Sequence, residues 1–192
     1  MNICVYGASS RTLDKKFTDT GYELGYKLAQ RGYGLVFGGG DTGMMGAVAR
    51  GAHDGGAHVT GIAPAFFNVD GVLYQLNDEL IYTETMRQRK QKMEDLSGAF
   101  IVSPGGIGTF EEFFEILTLK QLGRTKKPLI ILNSYGYYDA MLEMMRRSVE
   151  MNFVTEYTFD LIYVTESIDD ALDYIAHYAE KEVDVNKARN LE

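Results

Sequence analysis

Short, continuous apolar runs alternate along the chain with segments whose apolar residues recur at helical spacing, and this alternation constrains the fold most. Continuous apolar character is typical of strands that are buried on both faces of a parallel sheet. Strands that alternate with helices form right-handed βαβ units. We therefore predict an α/β fold, a Rossmann-like, doubly wound, mostly parallel sheet with helices on both faces, in a single domain over residues 1–192.

The predicted elements fill most of the chain, and residues 66–78 are the main break in their alternation. That segment mixes aromatic side chains with Asn, Asp and Gly, so we interpret it as a loop near the site. Ser167, followed three residues later by Asp170, resembles an N-cap pair that opens the last helix. The polar tail from Glu182 is expected to fray. Strands are predicted at 3–6, 35–37, 58–63, 80–82, 99–103, 129–132 and 159–164, and helices at 14–31, 47–52, 85–96, from the 104–112 turn to 122, at 141–149 and after Ser167.

The composition excludes several classes of protein. The formal net charge is −8 and the sequence pI is about 4.9, so the mean field repels polyanions and no nucleic-acid partner is expected. Cys4 is the single cysteine, which rules out an internal disulfide and indicates a buried thiol. Neither a signal-peptide pattern nor an apolar run of membrane-spanning length occurs, so we expect a cytoplasmic protein without a membrane partner.

Residues 104–112 form a glycine-rich turn between an apolar run and a helical stripe. Their sequence is Pro-Gly-Gly-Ile-Gly-Thr-Phe-Glu-Glu. Glycines let the backbone approach a ligand closely, and the unpaired amides at a helix start attract anions, of which phosphate is the usual one. Glu111 and Glu112 lie in the first helical turn. Acids there favour the helix dipole, but beside a phosphate cradle they also indicate chemistry on a phosphorylated molecule.

Two further glycine-rich turns follow the first two strands. Residues 7–10 are Gly-Ala-Ser-Ser, and residues 38–46 contain five glycines. The carboxyl ends of parallel strands share one edge of the sheet, where such folds bind ligands, so the three turns are expected to meet there. Residues 38–46 could also be no more than a tight turn.

Several common sites are poorly supported. The first turn lacks the dinucleotide fingerprint GxGxxG, and the P-loop pattern GxxxxGK[ST] is absent. His53, His58 and His177 are scattered without metal-ligand spacing, so no metal is expected. No nucleophile elbow occurs either. The tyrosines of residues 135–138 could line a pocket, form a subunit interface or pack on the core.

The 104–112 turn matches in full the motif PGGxGTxxE of the Lonely Guy family of cytokinin-activating phosphoribohydrolases, which this chain resembles. The family's Arg-Lys pair in a Met-x-x-Arg-Lys context is similar to residues 86–90. The likeness extends to the 38–46 turn and to residues 136–139, and so covers most of residues 3–155. The chain departs from the family after the first strand, where Cys-Gly-Ser is often found, and in residues 66–78.

The resemblance implies hydrolysis of the N-glycosidic bond of AMP or an N6-substituted AMP, to a free base and ribose 5-phosphate, without a cofactor. Glu112 would stabilise an oxocarbenium-like transition state and orient a water, while Arg89 would hold Glu112 and substrate oxygens. The resemblance also implies a homodimer. The substrate-binding residues that it implies are Ser9, Gly40, Met86, Lys90, Gly105, Gly106, Ile107, Gly108, Thr109, Glu111 and Thr118.

Two other functions stay open beside this one. The first is a non-catalytic binding protein for a nucleotide or a phosphorylated cofactor with the same fold. The second, lysine decarboxylation, rests on an older label of the family, and the glycine turn holds no lysine for a Schiff base with pyridoxal phosphate. The charged helix over residues 85–96 would be a wall of the site if the resemblance holds, and a solvated face otherwise.

Overall fold

The computed structural model describes residues 1–67 and 72–189, and in these ranges seven parallel strands form one sheet. The strands are β1 (Asn2–Tyr6), β2 (Gly34–Phe37), β3 (Val59–Pro64), β4 (Glu79–Thr83), β5 (Ala99–Val102), β6 (Leu129–Leu132) and β7 (Tyr163–Thr165). Their order in the sheet is β4-β3-β2-β1-β5-β6-β7, so the direction of winding reverses between β1 and β5. The predicted doubly wound sheet is confirmed, and it is entirely parallel.

Helices cover both faces of the sheet, as the strand pattern predicts. The helices are α1 (Lys15–Gln30), α2 (Gly43–Asp54), α3 (Met86–Leu96), α4 (Ile107–Gln121), α5 (Asp139–Glu150), α6 (Tyr157–Asp160), α7 (Ile168–Ala176) and α8 (Val185–Arg189). One apolar core packs α1, α2 and α7 against one face of the sheet, and a second core packs α3, α4 and α5 against the other face. The β1, β2, β5 and β6 strands are buried almost throughout, which explains their continuous apolar character.

The prediction of a strand over residues 159–164 is wrong at its start. Residues Tyr157–Asp160 form the short helix α6, and β7 begins only at Tyr163. Leu161 and Ile162 are buried between the two elements. A short apolar run is compatible with a buried strand or a buried helical turn, and its periodicity cannot separate the two.

The expectation of a frayed tail from Glu182 is also wrong within the described residues. Residues Val185–Arg189 form α8, and the Asp184 carboxylate accepts from the Lys187 amide at 3.0 Å, as a helix cap does. Ala188 is buried. One capping acid and one buried alanine therefore order a segment whose composition is otherwise polar.

Residues 66–78 are described only in part, because residues 68–71 lie outside the described ranges. Before this gap, Ala65–Phe67 form a 3-10 turn. After it, Leu73 forms an isolated antiparallel bridge with Gly40, and the Tyr74 amide donates to the Gly39 carbonyl at 2.9 Å. The described part of this segment therefore packs on the second glycine turn.

No helix in the described part of the chain is both long and apolar enough to cross a membrane.

Candidate active site

The three glycine-rich turns meet at the carboxyl edge of the sheet, where the winding reverses. The Ala8 amide donates to the Pro104 carbonyl at 3.1 Å, and the Met45 amide donates to the Ala8 carbonyl at 3.0 Å. The Thr42 hydroxyl donates to the Ser9 carbonyl at 2.6 Å. Ligands of open α/β sheets bind at this reversal, since the helices on its two sides diverge and leave a crevice.

The 104–112 turn forms the start of α4, and its amides face an open crevice. Gly106 is the N-cap residue in extended backbone, and no side chain caps the helix. Because the first amides of a helix have no partner within it, those of residues 106–109 are the natural donors to an anion, and we call these four amides the cradle. The helix dipole adds to their attraction.

Gly105 owes its identity to a close approach by Thr109. A β-carbon at Gly105 would lie 2.1 Å from the Thr109 hydroxyl oxygen, so any side chain there would displace the threonine. Thr109 is buried on the first turn of α4. The turn thus brings this hydroxyl beside the cradle amides, in the lining of the crevice.

Arg89 and Glu112 form a buried ion pair at the wall of the crevice. Arg89 Nη1 donates to Glu112 Oε1 at 2.9 Å, and Arg89 Nε donates to the Ile62 carbonyl at the end of β3, also at 2.9 Å. Arg89 is fixed on α3, whose N-terminus carries a capping box between Thr85 and Gln88. The predicted pairing of Arg89 with Glu112 is therefore present, and the helix forms a wall of the site.

Burial and the ion pair act on the Glu112 carboxyl in opposite directions. Burial raises the pKa of Glu112 above its ordinary value, because the carboxylate loses water, and the nearby Arg89 guanidinium lowers it. Burial is the larger of the two effects. The carboxyl thus sits in a poorly solvated place beside a cation, an environment typical of functional carboxylates.

The two acids of the motif lie in the second turn of α4, not in the first turn as the sequence predicts, and they occupy different surroundings. The Glu112 side chain is 10% exposed and that of Glu111 is 53% exposed, although both contribute to the lining of the crevice. Glu111 pairs with Lys90, whose ammonium also lies 2.9 Å from Glu115 Oε2. Lys90 does not reach the lining of the crevice in this chain, and it contacts the site through Glu111.

The crevice has a volume of about 560 Å³, which suits a small-molecule ligand. The structure brings into its lining most of the predicted site, namely Ser9, Met86, Arg89, Glu111, Glu112 and the 105–109 turn. The lining also contains residues that the sequence reasoning did not single out for this role, of which the apolar ones are Ala8, Leu13, Phe17, Met45 and Phe67. Their common signal is position, because each lies in the loop or the first helical turn that follows the carboxyl end of β1, β2 or β3.

Tyrosines from the loop after β6 hold the cradle from one side. The Tyr137 hydroxyl donates to the Gly105 carbonyl at 2.6 Å, and the Tyr138 hydroxyl donates to the Ser103 carbonyl at 2.7 Å. Tyr137 also lines the crevice, and its ring makes an edge contact with Phe17. Of the roles open to this tyrosine run, lining the pocket therefore applies to Tyr137.

Gly40 and Thr118 lie outside the main crevice. Gly40 lines a side cavity of about 310 Å³ that shares Arg89, Ser9 and Phe67 with the crevice. Thr118 lies on the outer face of α4 and donates to the Phe114 carbonyl at 2.7 Å. Thr118 and Lys90 are thus the two predicted substrate contacts that a single chain does not bring to either cavity.

Within residues 1–67 and 72–189 no group of three or more His, Cys, Asp or Glu side chains is arranged to hold a metal ion.

Comparison with known families gives one clear match. A family model described as "Possible lysine decarboxylase" matches residues 45–175, which is more than half of the chain. The chain is 36% identical over 182 residues to cytokinin riboside 5'-monophosphate phosphoribohydrolase LOG2 of Arabidopsis thaliana, covering 95% of this chain and 85% of the relative. It is 40% identical over 154 residues to the phosphoribohydrolase LOG of Oryza sativa subsp. japonica, covering 80% and 64% respectively.

Among solved structures, the molybdenum cofactor binding protein of Rippkaea orientalis superposes with a TM-score of 0.69 at 19% identity. The match covers 91% of this chain and 95% of that protein. At this identity the likeness establishes a common fold.

Proposed function

This chain belongs to the Lonely Guy (LOG) family, whose model carries the description of a possible lysine decarboxylase, and from that premise we propose how its crevice works. The protein is a phosphoribohydrolase. It cleaves the N-glycosidic bond of a nucleoside 5'-monophosphate with water, to a free base and ribose 5-phosphate. The observation that carries this function is the buried Arg89–Glu112 pair beside an uncapped helix start.

The 5'-phosphate binds at the start of α4. The amides of residues 106–109 and the Thr109 hydroxyl supply the donors, and the Tyr137 hydroxyl fixes the Gly105 carbonyl so that the turn keeps its shape. Phosphate binding at this position orients the ribose, because only a few covalent bonds separate the 5'-phosphate from C1' of the same sugar. Glu112 lies on the same helix, α4, and lines the same crevice.

Glu112 acts on the sugar during bond cleavage. As the bond from C1' to the base nitrogen breaks, positive charge develops on the sugar, and a carboxylate in a poorly solvated site stabilises that charge strongly. The same carboxylate orients the attacking water, whose oxygen joins C1' while a proton goes to the departing base. Arg89 favours the ionised form of Glu112 and holds it in place, and as a residue of the crevice lining it also supplies hydrogen bonds to substrate oxygens.

AMP or an N6-substituted AMP is the proposed substrate, in keeping with the names of the plant relatives. Glu111, Ser9 and Met86 line the crevice and complete the contacts to the ribose and base. A cytoplasmic location and a part in making cytokinin-type bases belong to the same proposal.

The proposal includes a homodimer that forms through the outer face of α4. Ile107, Phe114 and Leu122 are spaced at 7 and 8 residues along this face and are 81%, 36% and 39% exposed. Thr118 shares the face. Exposed apolar side chains in a row favour pairing with a second copy of the chain. In such a dimer Thr118 would contact a ligand that it does not reach within its own chain.

The decisive experiment incubates the purified protein with AMP and with isopentenyladenosine monophosphate and measures released base by chromatography. We expect base and ribose 5-phosphate in equal amounts. A folded protein that releases neither base contradicts the hydrolase function. Intact nucleotide bound after a long incubation would instead favour the non-catalytic binding protein, and an aldimine absorbance band with pyridoxal phosphate would favour the decarboxylase.

A further inference from the structure

The Arg89 guanidinium lies directly against Gly38, the first residue after β2. A β-carbon built on Gly38 would be 1.9 Å from Arg89 Nη2 and 3.2 Å from Arg89 Cζ. The backbone of Gly38 lies outside the left-handed region, unlike that of its neighbour Gly39 with φ +78°. An L-residue could therefore adopt the backbone conformation at position 38. The severe clash is with Arg89, whereas the Met45 sulfur would lie at 3.3 Å, a tight contact that a flexible side chain relieves by a small shift.

Arg89 has no easy way to move aside. Its Nε donates to the Ile62 carbonyl and its Nη1 donates to Glu112, each at 2.9 Å, and the residue is buried. Retreat from position 38 would break at least one of these two bonds, and a broken bond in a buried site leaves an unpaired polar group. The guanidinium is thus held between a carbonyl, a carboxylate and the bare α-carbon of Gly38.

We propose that Gly38 is a positioning residue for the reaction. Because glycine has no side chain, the Arg89 guanidinium can occupy the space beside its α-carbon and keep its hydrogen bond to Glu112. The inference rests on the proposed function, in which Arg89 holds Glu112 and substrate oxygens. It gives the second glycine turn a role besides that of a tight turn, because its first glycine acts on catalysis through the position of Arg89.

A double-mutant cycle tests this role. Gly38→Ala is expected to lower kcat for base release about 100-fold, the usual cost of misplacing a reacting group by about 1 Å. Arg89→Lys removes Nη2, the atom that would lie 1.9 Å from the new β-carbon, and places a flexible ammonium near the position of Cζ, so the severe steric conflict is relieved. In the Arg89→Lys background, Gly38→Ala should therefore change kcat and the AMP dissociation constant less than about threefold, because the two effects are coupled.

Two controls separate positioning from general damage to the fold. Gly98→Ala makes the same change before β5, where the β-carbon would displace the flexible Met1 side chain and make an ordinary contact with the Asn2 carbonyl, and should leave kcat unchanged. If Gly38→Ala alone unfolds, the proposal requires Gly38→Ala with Arg89→Lys to fold, as judged by circular dichroism. Failure of both variants to fold overturns the proposal.

A crystal structure of Gly38→Ala supplies a readout that does not depend on activity. We expect the separation of Arg89 Nη1 from Glu112 Oε1 to exceed about 4 Å, the usual limit of an ion pair. An unmoved guanidinium, or an equal loss of kcat in both backgrounds of the cycle, overturns the role of Gly38. Wild-type protein that releases no base would instead overturn the proposed function, and the crystal structure would still decide on Gly38.

Discussion

At the residue scale, neighbouring acids of one helical turn differ in burial because the helix turns by about 100° per residue. Glu112 points to the sheet and pairs with Arg89, whereas Glu111 points outward and pairs with Lys90. The same residue type, one position apart, is thus given two environments. This contrast assigns the chemistry to Glu112 and an accessory contact to Glu111.

Glu112→Gln is therefore expected to lower kcat by about two to four orders of magnitude, since the amide keeps the shape of the side chain but loses its negative charge. Glu111→Gln, the matched change on the exposed side of the turn, should cost less than about tenfold. Base release with AMP under saturating conditions gives both values. Equal losses in the two variants, or wild-type turnover in Glu112→Gln, would remove Glu112 from the proposed role.

At the scale of elements, α4 connects the anion cradle at its start to a buried lysine at its end. Lys120 Nζ donates to the Lys127 carbonyl at 2.7 Å and to the Tyr178 hydroxyl at 3.0 Å. Burial lowers the pKa of Lys120 from 10.5 to about 8, because the ammonium loses water. The end of the helix therefore carries a cost in stability that depends on pH.

The sign of this dependence follows from proton linkage. Between pH 8 and 10.5 the unfolded chain holds the Lys120 proton and the folded chain has lost it, so the cost of burial is full below pH 8 and disappears as the pH rises. Relative to Lys120→Met, the wild-type protein should gain about 2 kcal/mol in free energy of unfolding between pH 7 and pH 10. Urea unfolding of both proteins at several pH values measures the difference, and a constant difference contradicts the prediction.

At the scale of the whole molecule, the site exists because the winding of the sheet reverses between β1 and β5. This reversal places the 104–112 turn beside the turn after β1, although about 95 residues separate them in sequence. Arg89 arrives from α3, on the same face of the sheet as α4. The crevice is therefore a product of topology, with each turn supplying one part of its wall.

The outer face of α4 gives the matching prediction for assembly. Phe114→Glu places a charge in the proposed interface and should shift the protein from dimer to monomer in sedimentation velocity at micromolar concentration. Phe153→Glu, at a side chain that is 79% exposed beyond α5, is the control and should leave the dimer intact. A wild-type protein that is monomeric at that concentration contradicts the homodimer.

The sequence by itself determined the fold class, the order of nearly all elements and the cradle. The reason is that the continuous apolar runs of the strands and the glycines of the 104–112 turn are local properties of the chain. The resemblance then singled out Arg89 and Glu112 as partners. Helix α6 and the ordered α8 were missed because their stability comes from packing on distant residues, as at Ala188.

Only the tertiary structure decided which groups share the crevice and how each is solvated. The apolar lining from Phe17 and Met45, the outward place of Thr118 and the contact of Gly38 with Arg89 all join residues that are far apart in the chain. The physical reason is that exposure, electrostatic environment and steric fit depend on neighbours brought by the topology of the sheet. A sequence motif identifies the chemical groups, and the packing around them determines their exposure, their electrostatic environment and therefore their chemistry.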